Sequence, residues 1–422
     1  MISGARRILV RLVGFFAIPA LTVLSPILVL PAITGILGPT AWASVAVSQS
    51  LGSAAGVVVE LGWGLNGPQR VARARTSDAR ARIYCLALST MGITAAVISV
   101  PLCVAVNALV HGIGANGYLI AIATALGPMG PIWYFVGSGQ PRLILLLDTI
   151  PTLCFTLAAA ACIGLFHLPL ITYSLGLLLA AVVPIWLAWS AVGGSLTYLR
   201  RMTARRLARV LFAQATALQA RVASAIYIAL PITLVGAAMP SAVVEFSAAE
   251  RVERLYLTFL QAFPNAMQSW VGGAPPDRRR HRVLVGVLGN AAFGLVAGTV
   301  LILMGPLVIR ILFADAIHVS MIVLIASGTV VAITCTSRAT GGLGLVAYRS
   351  VGTLRSSAIA GAIIGLPAIA IGARLLGVLG GMLGEIVAEA TVLMMQLLSL
   401  ARIARGRSGK PQEIVPSALT GE

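Results

Sequence analysis

Between Glu245 and Tyr256 the chain reads E-F-S-A-A-E-R-V-E-R-L-Y, five charges in twelve positions of a protein in which only 10% of residues are charged. Glu250 and Arg254 stand four apart with the acid first, the order that pairs best along a helix. Starting at Ser247, the polar residues Glu250, Arg251, Arg254, Thr258, Gln261, Asn265, Gln268 and Ser269 recur at steps of three or four. That spacing predicts one polar stripe on a helix, with Phe246, Leu255, Leu257, Phe259, Leu260 and Phe263 around the rest of it. Such a stripe can line a path for a polar or anionic substrate. Its acids and bases can also simply neutralise one another and cement the helix to its neighbours. Pro264 is expected to kink the helix in its later half.

Other polar groups stand isolated in apolar runs. Arg221, with Gln214 one heptad before it, reads as a counter-ion for the glutamates or as an anion-binding group, and a planar guanidinium suits phosphate. Glu385 and Glu389 share a helix face. Like charges so close in a low dielectric disfavour double ionisation, so proton coupling is one reading and pairing with Arg374 another. Asp148, three residues before Pro151, is a candidate for ion coupling, for lining a cavity, or for capping backbone freed by the proline. Glu60 with Arg70 is read as a cytoplasmic gate, and Arg310 with Asp315 as a solvated outer pair. The four histidines are scattered, and Cys85, Cys103, Cys154, Cys162 and Cys335 all lie in apolar runs, so no metal site, disulfide or cofactor is expected.

These groups need a scaffold, and the composition specifies its kind. Of 422 residues, 59% are hydrophobic, too many for a soluble surface. Runs of about 20 apolar residues predict twelve transmembrane helices. They fall near 12–36, 41–64, 84–108, 116–137, 143–165, 169–192, 210–236, 241–270, 284–307, 317–337, 354–373 and 378–401. Ala41-Trp42-Ala43 has a small-x-small pattern, but the apolar run before it is long for a signal peptide and is read as a retained first span.

Charge placement tests the count. With both termini cytoplasmic, every second gap is basic, and all but five of the 30 Lys and Arg residues fall on one side. The five are Arg221, Arg251, Arg254, Arg310 and Arg374. The net charge of +18 therefore reads as membrane orientation, not nucleic-acid binding. Treating 241–270 as a loop would put the basic groups at 200–209 and 278–282 on opposite sides. The charged stretch must span.

A short repeat divides the chain. Leu30-Pro31-Ala32-Ile33-Thr34 returns as Leu230-Pro231-Ile232-Thr233, and Gly38-Pro39-Thr40 as Met239-Pro240-Ser241. The expected architecture is an all-α polytopic membrane protein, with two parallel six-helix lobes around a central cavity. The lobes would be 1–194 and 210–402, joined by a basic cytoplasmic linker at 195–209 and followed by a disordered cytoplasmic tail at 403–422.

Three motifs resemble a known family. Glu60-Leu61-Gly62-Trp63-Gly64-Leu65-Asn66 with Gln69-Arg70 is similar to the signature after the second span of Wzx-type polysaccharide repeat-unit flippases. Pro131-Ile132-Trp133-Tyr134-Phe135-Val136-Gly137 resembles that family's fourth span, and Ala248-Ala249-Glu250-Arg251 its eighth. The resemblance implies the multidrug/oligosaccharidyl-lipid/polysaccharide (MOP) exporter superfamily and a bacterial cytoplasmic membrane protein. It implies flipping of an undecaprenyl-diphosphate-linked oligosaccharide to the outer leaflet by two rocking lobes, for cell-surface polysaccharide biosynthesis. Arg221, Arg251 and Arg254 would then meet the diphosphate or acidic sugars. Partners implied are the lipid-linked substrate, the bilayer, a polysaccharide polymerase and glycosyltransferases, with the protein itself a monomer. This chain departs from the family in carrying nearly as many carboxylates as arginines there, which speaks against a strongly cationic lumen.

Two rival functions follow from the same residues. A drug or small-solute exporter of the same superfamily would have a smaller, more aromatic cavity. A membrane glycosyltransferase or polymerase would need a sizeable outer loop with acidic catalytic groups, and the outer gaps here run about 4 to 12 residues. A transporter and not an enzyme is the expectation.

Overall fold

A computed structural model describes residues 27–110, 112–194, 209–212, 229–272, 275–348 and 350–405. Arg221, Gln214 and all of the proposed linker but Arg209 lie outside these residues. The described chain is helical, without strands, as lipid demands when every backbone N–H and C=O must be satisfied within its own segment. The helices are α1 (Ile27–Leu37), α2 (Pro39–Glu60), α3 (Trp63–Arg73), α4 (Ser77–Leu109), α5 (Ala115–Leu126), α6 (Ile132–Ser138), α7 (Pro141–Phe166) and α8 (Ile171–Ala191). They continue as α9 (Pro231–Ala238), α10 (Val243–Leu260), α11 (Ala262–Gly272), α12 (Pro276–Leu312), α13 (Met321–Leu345) and α14 (Val351–Ala404). Among the described residues eight helical stretches are long and apolar enough to cross a membrane, which makes this a multi-pass membrane protein.

Helix breaks follow from local chemistry. Pro151 has no N–H to give the carbonyl of Leu147, and the turn before it, Leu145–Thr149, widens to i→i+5 spacing. Pro264 likewise leaves the Leu260 carbonyl without its partner, and the helix breaks at Gln261 between α10 and α11. α14 is a hairpin of two arms, 351–376 and 378–404, turning on Gly377 at φ +63°, ψ −137°. The arms touch backbone to backbone, so that a Cβ on Gly372 or Gly380 would overlap the other's carbonyl. This places the last two spans where the hydropathy put them.

α3 occupies most of the first half of the gap between the spans expected near 41–64 and 84–108. Leu61 and Gly62, both at positive φ, turn the chain out of α2, and Trp63, Gly67 and Val71 then bury one face at i+4 spacing. Gly67 lies against the ring of Trp133, Gly137 fits over the backbone of Pro68, and the Trp63 indole donates to Thr90 Oγ1 at 2.9 Å. Gln69, Arg70 and Arg73 face outward.

Helices α2, α4, α5, α7 and α8 pack among themselves, and α9, α10, α12, α13 and α14 do likewise. α2 crosses between the groups, against α9 and α10, and the Thr233 hydroxyl donates to Ser50 Oγ at 2.7 Å. One apolar core joins Val29, Leu30, Trp42 and Val45 to Ala248, Val252, Leu301 and Phe313. At one end of this contact the Trp42 and Phe313 rings lie 5.6 Å apart, beside the close approach of Gly35 to Ala314.

Candidate functional site

α10 carries the charged stretch, and its low hydropathy is offset by neighbours on all sides. Ser247, Glu250 and Glu253 are buried, and Arg251 and Arg254 half-buried. Glu250, Arg251 and Arg254 line one cavity of about 420 Å³ together, and from it the contacts of the helix run in three directions.

Arg254 turns toward α14. Its Nε donates to Glu250 Oε1 at 3.2 Å, and its terminal nitrogen lies 3.1 Å from that oxygen and 3.7 Å from Glu385 Oε1. Glu385 is therefore paired with α10, while Arg374 is exposed near the hairpin turn. Glu253, 1% exposed, belongs to the same cluster, with Glu385 and Glu389 in electrostatic reach. Its Oε2 and both oxygens of Glu385 are buried without a hydrogen-bond donor among the described residues. Arg338 comes close to Glu389, Arg254 and Glu253. It donates from Nη1 to the carbonyl of Leu257 at 2.8 Å. That carbonyl is free because the amide of Gln261, which a continuous helix would direct to it, turns to Phe259 instead.

Arg251 points the other way, into the first group of helices. It lines three adjoining cavities of about 380, 250 and 420 Å³, all of which also touch Gln49. Asp148, on the widened turn of α7, lines the first two together with Thr152 and Thr156, and it does not cap the helix. The Gln49 amide donates to the hydroxyl of Tyr173 at 3.0 Å. Trp42 closes the end of two cavities, and its indole Nε1 is buried without an acceptor among the described residues. Arg251 Nε is likewise without a partner among those residues.

The third face is apolar. Val252, Leu255, Tyr256 and Phe259 form a groove of about 160 Å³ with Ile27 of α1 and Val300, Met304 and Val308 of α12. Phe259, Val300 and Met304 are exposed there, as lipid-facing residues would be.

The other stripe residues separate. Thr258 is exposed and donates to the Arg254 carbonyl at 2.8 Å, and Gln261 sits half-buried at the α10–α11 break. Asn265 lies in α11, with its side chain outside the described residues. Glu60 is half-buried at the end of α2, whereas the exposed Arg70 holds its guanidinium 5.1 Å from the centre of the Trp63 ring. Arg310 and Asp315 pair at 2.8 Å with both side chains more than 60% exposed. No group of three metal-ligating side chains occurs among the described residues.

Sequence reasoning missed Glu253, Gln49, Tyr173 and Trp42. Glu253 stands three positions after Glu250, so the same spacing could have found it. The other three sit on apolar helices whose partners are more than a hundred residues away, and no local spacing signals them.

No protein-family profile and no curated protein matches this sequence. Solved structures do. A lipid II flippase, MurJ, in an inward closed conformation, superposes with a TM-score of 0.67 at 12% identity, over 93% of this chain and 87% of that one. An inward-facing multidrug resistance MATE family transporter of the MOP superfamily gives 0.62 at 14% identity, over 94% and 99%. An outward-facing multidrug resistance MATE family transporter gives 0.53 at 15%, over 94% and 96%. The fold is that of MOP-superfamily transporters. Within that fold, this chain is similar in architecture both to a flippase and to drug transporters.

Proposed function

We propose that this protein is a Wzx-type flippase that moves an undecaprenyl-diphosphate-linked oligosaccharide from the cytoplasmic to the outer leaflet. The observation that carries the reading is the divided surface of α10. Arg251 faces polar cavities on one side, and Val252, Leu255, Tyr256 and Phe259 face a lipid-exposed groove on the other. One helix thickness thus separates a place for an anionic, hydroxylated head from a place for a hydrocarbon chain. A guanidinium suits a diphosphate because its planar donors bind phosphate oxygens in pairs. The architectural likeness to a lipid II flippase supports the same reading.

The setting we infer is a bacterial cytoplasmic membrane, with both termini inside and the two six-helix lobes rocking about α2 and α10. A polymerase and glycosyltransferases would supply and consume the substrate, and the protein would act as a monomer. Glu385 and Glu389, with Glu253 beside them, are the candidates for coupling to an ion. The direct test is translocation of undecaprenyl-diphosphate-linked oligosaccharide in reconstituted vesicles, scored by access of an added glycosidase. Transport by wild type and its loss in Arg251→Ala is the expected result, and no transport by wild type would reject the reading. A small-molecule exporter is the second reading. It is favoured by the size of the cavities, which lies at the low end of the roughly 300–1,000 Å³ common for drug-sized ligands. Efflux of a cationic dye from the same vesicles would select it.

A further inference from the structure

The walls of the cavities also say which sugars fit. We infer that the first sugars of the glycan are uncharged, and that Asp148 is the residue that selects them. The inference rests on the flippase reading and deepens it.

Five side chains around Arg251 make a surface suited to a neutral sugar ring. Trp42 and Tyr173, both almost wholly buried, give part of the cavity wall an apolar aromatic lining against which the C–H groups of a pyranose can rest. The Trp42 indole, 2% exposed, holds a buried N–H with no acceptor among the described residues, beside the cavity it lines. Gln49 spends one amide hydrogen on Tyr173 and keeps further donor and acceptor capacity. The Thr152 hydroxyl donates to the carbonyl of Ala180 at 3.2 Å, which leaves its oxygen to accept. Asp148 makes no hydrogen bond or ion pair among the described residues. A Cβ on Gly130 would stand 3.0 Å from its Oδ1, so the glycine keeps that oxygen uncovered. A carboxylate without a partner accepts from adjacent hydroxyls, as a sugar diol presents them.

Charge decides against acidic sugars. Arg254, the second cation of α10, is engaged by Glu250 and Glu385. In the two cavities that Asp148 lines, Arg251 is the described cation and Asp148 the described anion, while the adjoining one adds Arg254 together with its partner Glu250. One anionic anchor, the diphosphate, satisfies Arg251. A uronic acid placed next to it would set a carboxylate against Asp148, in a site that water screens poorly.

The test uses the full-length protein in vesicles, with two undecaprenyl-diphosphate-linked trisaccharides. One consists of neutral hexoses, and the other carries a uronic acid in place of the first or second sugar. We expect wild type to move the neutral glycan roughly tenfold faster or more, the scale of a like-charge contact at a binding surface. Asp148→Asn should shrink that ratio by raising the rate for the uronic acid form, and Asp148→Glu should restore it. Equal rates in wild type, or a ratio untouched by Asp148→Asn, would overturn the inference while leaving the flippase intact. Movement of neither glycan by a monodisperse, folded wild type would reject the flippase reading and this inference with it. Should Asp148→Asn not fold, Gly130→Ala, which crowds Oδ1 without altering charge, should slow the neutral glycan. An unchanged rate in that variant would also count against the role of Asp148.

Discussion

Glu385 lies 3.7 Å from the guanidinium of Arg254, across the boundary between the second arm of α14 and α10. Glu250 holds the same guanidinium from one turn away on α10 itself. Arg254 therefore ties the charged helix to the terminal hairpin, and it is the cation most directly balancing Glu250, Glu253 and Glu385.

Removing that cation should destabilise the protein. Arg254→Ala would leave these buried carboxylates facing one another, and breaking a buried pair from one side costs about 3–5 kcal/mol. The partial exposure of Arg254 points to the lower end. Thermal unfolding in detergent should show a clear drop in melting temperature, partly recovered in Arg254→Ala/Glu385→Gln. A single variant as stable as wild type would show that the tie contributes nothing.

Arg251→Ala should behave differently. Arg251 has no salt bridge among the described residues, and Glu250, which feels its charge, keeps Arg254 as its partner when Arg251 is removed. Melting temperature should move little while transport falls by about tenfold or more, the strength of a charge-assisted contact. Arg251→Lys should keep part of the rate, since it retains charge but loses the fork. Equal damage to stability and transport would make Arg251 structural.

The contact of Gly35 with Ala314 offers a lock. A Cβ built on Gly35 lies 3.2 Å from that of Ala314, near the 3.5–4.5 Å spacing typical of disulfides. In a background without the native cysteines, Gly35→Cys/Ala314→Cys should cross-link under mild oxidation and stop transport, and a reductant should restore it. Undiminished transport by the cross-linked protein would mean that the two groups of helices need not part there.

Gly380→Ala tests the hairpin. The new methyl would overlap the carbonyl of Gly372, which is backbone and cannot swing aside. A loss of about 2–4 kcal/mol is expected, as for other overpacked cores, read as reduced melting temperature and poor yield. Gly342→Ala, where a Cβ meets nothing within 4 Å, is the matched control.

Hydropathy alone located the eight long stretches, because an apolar run of that length has one stable solution in lipid. α10, whose charges lower its mean hydropathy, is not among them; that it spans is inferred from the alternation of basic gaps, which reports on topology and is blind to the helix itself. The direction of each side chain was not legible. The stripe from Ser247 to Ser269 predicted one functional face; Glu250, Arg251 and Arg254 do share one cavity, but Arg251 reaches on toward Asp148 while Arg254 pairs with Glu385. A helix wheel fixes angles about an axis, but not which neighbours stand at each angle. α3 lies in a gap between apolar runs, where Pro68 and the glycines at 62, 64 and 67 give no helical signal. Two of those glycines serve a turn and a close packing contact. Arg338, counted as a cytoplasmic charge, fills a carbonyl that only the break at Gln261 exposes.

The turn on Gly377 has a practical consequence. With one residue joining two spans, and Gly38 alone joining α1 to α2, these ends of the molecule offer almost no polypeptide to a protease, an antibody or an inserted tag. Reporters placed there would have to unwind a helix to be seen. The segments at 112–114, 167–170 and 313–320 on the same side are where labelling reagents should find the protein.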